Sequence, residues 1–370
     1  MFKNFDRLIS YALIKQHNIF VMVGNGFDIG ILNKIKSSGL PGKTTSYSDF
    51  YDYLTYFDLC PDNMLYKKMK QDKLNNKLNW SDFEHSIGEL LNFGVDTKLL
   101  EKSIDEFQNY FTMFLNKLVT PETLVELSEK VSSNKLSINS LSKFSYDIKP
   151  IAKFKFIYNT GKFDLYNFVF ANFNYTALLD NYMYLDKNQF DPHIYKTVDR
   201  NFQFKYTLPG CTETNYSSYV YTEVIHPHGF QDIPRSILFG IDLDNYPKGT
   251  GDKRRFVKGY WSQYDVKYLS YLTEADLFII YGMSLGQSDA WWFDNIVNQI
   301  LLRDVELIIY NYGIEDVDIT KDRFINSCIR HKNISENERE MIKDNIHIVS
   351  FIDNDTKFLG MNFYGDSLNW

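Results

Sequence analysis

The sequence predicts an α/β fold: a mostly parallel sheet with helices on both faces, interrupted by a large helical insertion. Three observations predict it. Short, continuous apolar runs rich in Val, Ile and Phe recur along the chain, as strands covered on both faces require. Beyond residue 176 these runs alternate with helix-period segments, which implies crossover connections and parallel pairing. Residues 49–150, by contrast, have few glycines or prolines and read as mostly helical. An insertion of that kind lengthens an α/β connection without breaking the sheet.

In chain order, residues 5–16 have apolar positions at helical spacing, and 19–23 (IFVMV) read as a buried strand. GNGFDIGILNKI then reads as a loop opening a helix. Ser48 is placed to cap a helix starting near Asp49. NWSDFEHSIGELLNF carries Trp80, Phe83, Ile87, Leu90 and Leu91 at helical spacing, which makes Trp80 a core residue and Glu84 a surface or hydrogen-bonded acid. Further strands are predicted at 166–176, 219–229, 236–244, within 276–289, at 305–311 and at 347–351. Helices are predicted at 177–185, 262–273, 287–302 and 315–330. The boundaries follow as residues 1–49 plus 161–370 for the α/β unit and 50–160 for the helical insertion.

Composition narrows the function classes. The chain has 370 residues, 44% hydrophobic and 24% charged, ordinary for a globular protein. Its formal charge of −7 gives no global attraction to nucleic acid or an anionic membrane. Aromatic content is high, with 30 Phe and 27 Tyr, but no basic stripe accompanies it, so it reads as compositional drift rather than a set of base-stacking platforms. Three separated cysteines (Cys60, Cys211, Cys328) form neither a zinc ribbon nor a disulfide framework and suit a reducing cytoplasm. The N-terminus lacks the unbroken apolar run of a signal peptide, and no stretch approaches the ~18 apolar residues of a membrane span.

In an open parallel sheet, ligands bind beyond the carboxyl ends of the strands. The residues there are Gly24-Asn25-Gly26-Phe27-Asp28, Asn172 to Thr176, His226-Pro227-His228-Gly229, Gly240-Ile241-Asp242, and Gly282-Met283-Ser284-Leu285. Gly24 and Gly26 permit close backbone approach, and the following helix start suits a diphosphate. A tight strand-to-helix turn explains the same glycines equally well, and Gly30 arrives one residue late for G-x-G-x-x-G. His226 and His228 read as catalytic, as a metal pair with Asp242 or Asp244, or as structural turn histidines. Asn174 suits a carboxamide or ribose hydroxyl, or an Asx turn. Ser284 could touch a ribose, and Asp289 doubles as a first-turn helix acid.

Taken together, VGNGFD (23–28), TSYSDF (45–50), NWSDFE (79–84), NFNYT (172–176), HPHG (226–229), LFGID (238–242) and GMSLGQSD (282–289) resemble the bacteriophage abortive-infection AbiH family. There is also a distant resemblance to the sirtuin-type, Rossmann-like NAD-binding fold. It sets Gly24 and Gly26 on the glycine turn, Asn174 on the amide-binding asparagine and His228-Gly229 on the catalytic His-Gly. Phe239 and Gly240 fall on the acyl-substrate strand, and Gly282, Ser284 and Leu285 on the closing loop. Thr176 stands where an aspartate is usual, and the zinc cysteines are absent. These resemblances imply a sirtuin-like α/β domain acting in phage defence by binding and hydrolysing NAD, with no metal required.

The site they imply has His228 and Asn174 as catalytic residues. Gly24, Asn25, Gly26, Phe27, Asp28, Thr176, Gly282, Ser284, Leu285 and Asp289 would hold the dinucleotide. An imidazole titrating near ~6.5 would polarise the water or a ribose hydroxyl. The rival readings are a nucleotide-binding sensor without catalysis and a metal-dependent nuclease or phosphohydrolase. The helical insertion could recognise a phage-encoded trigger, mediate homo-oligomers or cover the pocket.

Overall fold

The computed structural model describes residues 1–5, 15–161, 164–190, 202–206, 214–217, 219–242, 251–331, 333–353, 355 and 357–362. Six of its strands build one parallel sheet: β1 (Gln16–Val23), β2 (Leu165–Asn172), β5 (Tyr219–Ile225), β6 (Leu277–Tyr281), β7 (Glu306–Tyr312) and β8 (Ile346–Phe351). Two short strands, β3 (Gln203–Tyr206) and β4 (Thr214–Ser217), pair antiparallel beside it. The large sheet runs β5-β2-β1-β6-β7-β8. Numbered within that sheet, the order is 3-2-1-4-5-6, the doubly wound arrangement whose direction reverses between β1 and β6.

Strand alternation divides the core in two. Ile19, Val21 and Val23 of β1, with Phe168, Phe170, Leu277 and Ile279, face one apolar cluster. That cluster is completed by α1 (Asn25–Leu32), α2 (Tyr47–Tyr56), α3 (Met64–Leu74), α4 (Phe83–Asn92), α5 (Thr97–Leu118), α6 (Pro121–Ser133), α7 (Leu136–Lys143) and α8 (Leu178–Met183). Phe20 and Met22, with Val169, Ala171, Phe278 and Ile280, face the other. There, beyond α9 (Lys258–Ser262), lie α10 (Tyr264–Lys267), α11 (Leu269–Glu274), α12 (Ala290–Arg303), α13 (Val317–Ser327) and α14 (Glu336–Asp344). Trp292 of α12 is fully buried and stacks on Phe20 at 6.0 Å. Each large apolar side chain so buried contributes roughly 1.5–3 kcal/mol.

The α/β character and the helical block follow the sequence prediction, and the differences have local causes. β1 starts at Gln16 because its ladder with β2 begins at Gln16↔Leu165. His17 there is buried but satisfied, its Nε2 2.8 Å from Asp164 Oδ2. The helix expected over 5–16 falls mostly outside the described residues. Helix α2 is capped by Ser46, which accepts from the Asp49 amide at 3.2 Å, not by Ser48. The strand expected at 236–244 is instead an extended loop with one bridge, Ile241↔Val257. Its amides serve other groups: Leu238 N donates to His228 O, and Gly240 N to Glu84. Residues 243–244 lie outside the described residues. Helix α14 has a Ser335/Glu338 capping box but few apolar residues, so periodicity does not reveal it.

Candidate functional site

Glycine at positions 24, 26 and 282 answers first to the protein itself. The loop after β1 and the loop after β6 touch where the sheet reverses. Gly24 N donates to Tyr281 O at 2.9 Å, and Gly26 N to Gly282 O at 2.8 Å. A Cβ on Gly26 would stand 2.8 Å from Gly282 Cα, and one on Gly24 2.8 Å from Gly282 O. Gly282 itself has φ +66°, the left-handed region. In an open helix Gly→Ala stabilises by up to about 1 kcal/mol. Here backbone blocks the methyl, so Gly26→Ala is expected to lose about 1–3 kcal/mol through overpacking. Urea unfolding reads the sign; a higher midpoint in the variant would refute the tight junction.

Beside this junction four of the five post-strand segments, all but Gly240-Ile241-Asp242, open onto one cavity of about 510 Å³. Its walls include Gly24, Asn25, Gly26 and Asp28 from the β1–α1 turn, and Asn174 and Thr176 after β2. His228 after β5 and Gly282, Ser284 and Asp289 after β6 complete the set the sequence had singled out. Two expected members do not reach it. Phe27 is 1% exposed and packs edge-on against Tyr182 at 5.5 Å. Leu285 points its side chain into the second core cluster, while its carbonyl accepts the Ser327 hydroxyl. Trp80, in the turn before α4, is partly buried and packs against the first core cluster, while the helical stripe expected from Trp80 begins only at Phe83.

The 172–176 turn is held by Asn172, whose Oδ1 accepts Asn174 N and whose Nδ2 donates to Thr176 O. Asn174 Nδ2 donates to Gly24 O at 3.1 Å and to Asp28 Oδ1 at 3.0 Å. Thr176 Oγ1 donates to Asp28 Oδ2 at 2.7 Å. Both oxygens of Asp28 are therefore engaged. Burial pushes its carboxyl up to about 7, and the bonds from Thr176 and Asn174 only partly oppose that. Asn25 turns sideways and exchanges hydrogen bonds with Thr45. The amides of Gly26 and Phe27 are occupied by Gly282 O and Gly24 O. They are not free for the diphosphate, as the sequence had suggested for residues 25–28.

The histidines diverge because β5 ends at Ile225 and a turn follows. His226 sits in a second cavity of about 470 Å³ on the far side of that loop, 3.0 Å from Asp180. His228 sits in the first, its Nε2 2.9 Å from the Tyr264 hydroxyl and 3.6 Å from Asp289 Oδ1. They do not share a face, which removes the proposed metal pair. Among the described residues no three His, Cys, Asp or Glu side chains converge to hold a metal. Burial, and then the Lys258 charge, hold His228 well below the ordinary 6.5. It is a neutral imidazole at physiological pH, not one titrating near neutrality.

At the cavity wall lies a charged cluster of which the sequence reading had placed only Asp289 at the site. Lys258, 1% exposed, reaches Asp289 Oδ1 at 3.1 Å and Glu84 Oε1 at 3.6 Å. Burial alone would lower its ammonium, but the two carboxylates outweigh this and raise it. Glu84 also takes the Gly240 amide at 3.3 Å and the Tyr47 hydroxyl at 3.4 Å. A signal for Glu84 exists: 84, 87 and 91 fall on one helical stripe, so an acid sits on the buried face. Nothing local marks Lys258. The cavity also extends to Tyr310, Asn311 and Tyr312 at the carboxyl end of β7, a strand end the sequence reading did not include.

Fold and site together define a doubly wound α/β protein with a ligand-sized, polar cavity at the point where strand order reverses. A family model, bacteriophage abortive infection AbiH, matches residues 20–312, and the chain belongs to that family. No curated protein matches the chain. No helix among the described residues is long and apolar enough to cross a membrane.

Proposed function

We propose that this member of the abortive-infection family binds a dinucleotide of the NAD class in the cavity beside Gly24 and Gly282. During phage infection it hydrolyses the nicotinamide–ribose bond. The observation that carries the reading is the convergence of four post-strand segments on one cavity across the switch point, where doubly wound sheets bind nucleotides. Its volume lies within the roughly 300–1,000 Å³ of small-molecule sites. The distant likeness of Gly24, Gly26, Asn174, His228 and Gly282 to the sirtuin pattern supports the same ligand.

The chemistry asks for orientation more than for a strong nucleophile. Nicotinamide leaves as a neutral ring, so the ribose C1′ becomes oxocarbenium-like before water adds. Both amide hydrogens of Asn174 are engaged, which leaves its Oδ1 to accept from the carboxamide or the water. His228, neutral and packed edge-on against Phe173 at 4.9 Å, presents a fixed polar edge to the ribose. The hydroxyls of Ser48 and Ser284 line the cavity where the diphosphate would lie. An Asp28 carboxyl raised to about 7 puts less negative charge on that side of the cavity than an ordinary aspartate would.

The test compares infected cells carrying wild type, Asn174→Ala or His228→Ala. Wild type is expected to protect the population while NAD falls and ADP-ribose and nicotinamide appear. Each variant is expected to lose protection and keep NAD at the uninfected level. Protection by wild type with NAD unchanged would overturn hydrolysis. Calorimetry with NAD would then separate a binding-only sensor from a chain that binds no dinucleotide.

A further inference from the structure

The hydrolysis requires a base for the proton that the attacking water gives up, and the sheet does not offer one. We infer that Glu84, carried by helix α4 of the helical block, is that proton acceptor, so that the insertion completes the active site. This inference rests on the reading of the cavity as an NAD-hydrolysing site.

The other candidates on the cavity wall are committed elsewhere. His228 is held well below the ordinary imidazole range by burial and the Lys258 charge, and its Nε2 is already paired with the Tyr264 hydroxyl at 2.9 Å. Asp28 is 0% exposed and both its oxygens already accept. Asp289 is tied to Lys258 at 3.1 Å, and Asp82 caps α4 by accepting the His85 amide. Glu84 is held only by long contacts of 3.3, 3.4 and 3.6 Å, and it lines the cavity.

The groups facing Glu84 come from five elements. Lys258 of α9 favours the carboxylate, while Asp289 before α12 and Asp82 at the start of α4 disfavour it. Tyr47 of α2 approaches it with its hydroxyl, and Tyr175 after β2 stands close enough to be raised by its charge. Burial dominates, and the carboxyl is pushed up to about 7, where a general base is most effective.

In the step, the water oxygen bonds to a C1′ made oxocarbenium-like by breaking of the C1′–N bond. That bond's electron pair passes to the nicotinamide ring nitrogen. One water proton moves to the Glu84 carboxylate and from there to solvent; the other remains on the new hydroxyl.

The experiment uses full-length protein recovered from infected cells and measures nicotinamide release from NAD between pH 5.5 and 8, with NAD affinity by calorimetry. Wild type should gain about tenfold in rate per pH unit below about 7 and level off above it. Glu84→Gln should bind NAD within about threefold of wild type yet release nicotinamide at least about 100-fold more slowly, with no ascending limb. A Glu84→Gln rate within tenfold of wild type would overturn the inference and leave the hydrolytic reading standing. If that variant does not fold, the wild-type profile decides, and a flat profile overturns the inference. No release by wild type at any pH would bring down the hydrolytic reading and this inference with it.

Discussion

Replacing Lys258 with methionine is expected to destabilise the folded protein by about 3–5 kcal/mol at pH 8, the usual effect of removing one partner of a buried ion pair. Lys258 is 1% exposed, and the side chains of Glu84 and Asp289 are only 10% and 14% exposed. Methionine fills a similar volume, so the loss reports charge rather than packing. Two carboxylates would then share a dry site with no counter-charge. Glu84 relieves the strain by taking a proton, so the penalty should shrink at pH 5. Urea unfolding at both pH values reads this. A penalty under about 1 kcal/mol at pH 8 would mean that water reaches the cluster.

Stability itself should decline as the medium turns from mildly acidic to alkaline. Asp28 is raised from 3.8 to about 7 by burial, so the folded state holds this proton more tightly than the unfolded chain does. Its contribution is fully present below the unfolded value and is lost as pH rises through about 7. At ~1.4 kcal/mol per pKa unit, Asp28 alone represents on the order of 4 kcal/mol. Glu84, raised to about 7, and Asp147, raised to about 6 chiefly by burial, act with the same sign. Glu126, held down to about 2 by Lys130, acts oppositely, but solvent screens that exposed pair and its weight is small.

The melting temperature should therefore fall between pH 5 and pH 8, and Asp28→Asn should flatten the slope. An asparagine there still accepts from Asn174 and can donate to the Thr176 hydroxyl, so the network survives without a charge. At pH 8 the variant should be at least as stable as wild type. A variant that melts well below wild type at pH 8 would show that Asp28 is carried as a stabilised carboxylate.

Reading the residues after each strand located most of one wall of the cavity. Gly24, Asn174, His228 and Ser284 are all local punctuation, polar or glycine residues that stop an apolar run. Such breaks are written in consecutive residues and so are visible without a fold. The same reading assigned Phe27 and Leu285 to the site, although an apolar side chain in a polar segment turns inward. It also took 236–244 for a strand. That segment has the right apolar residues, but strand formation needs a neighbour, and its amides bond to His228 O and Glu84 instead.

What the sequence determined by itself was the alternation of strands and helices, the helical block and the polar ends of the strands, because each rests on a pattern of at most a few turns of chain. Only the tertiary structure decided that the glycines serve the contact between two loops, that His226 and His228 part company, and that Lys258 meets Glu84 and Asp289. Those groups are separated by 31 and 174 residues of chain. Their charges and titration are set by burial and by each other, and neither exists until the helical block has closed against the sheet.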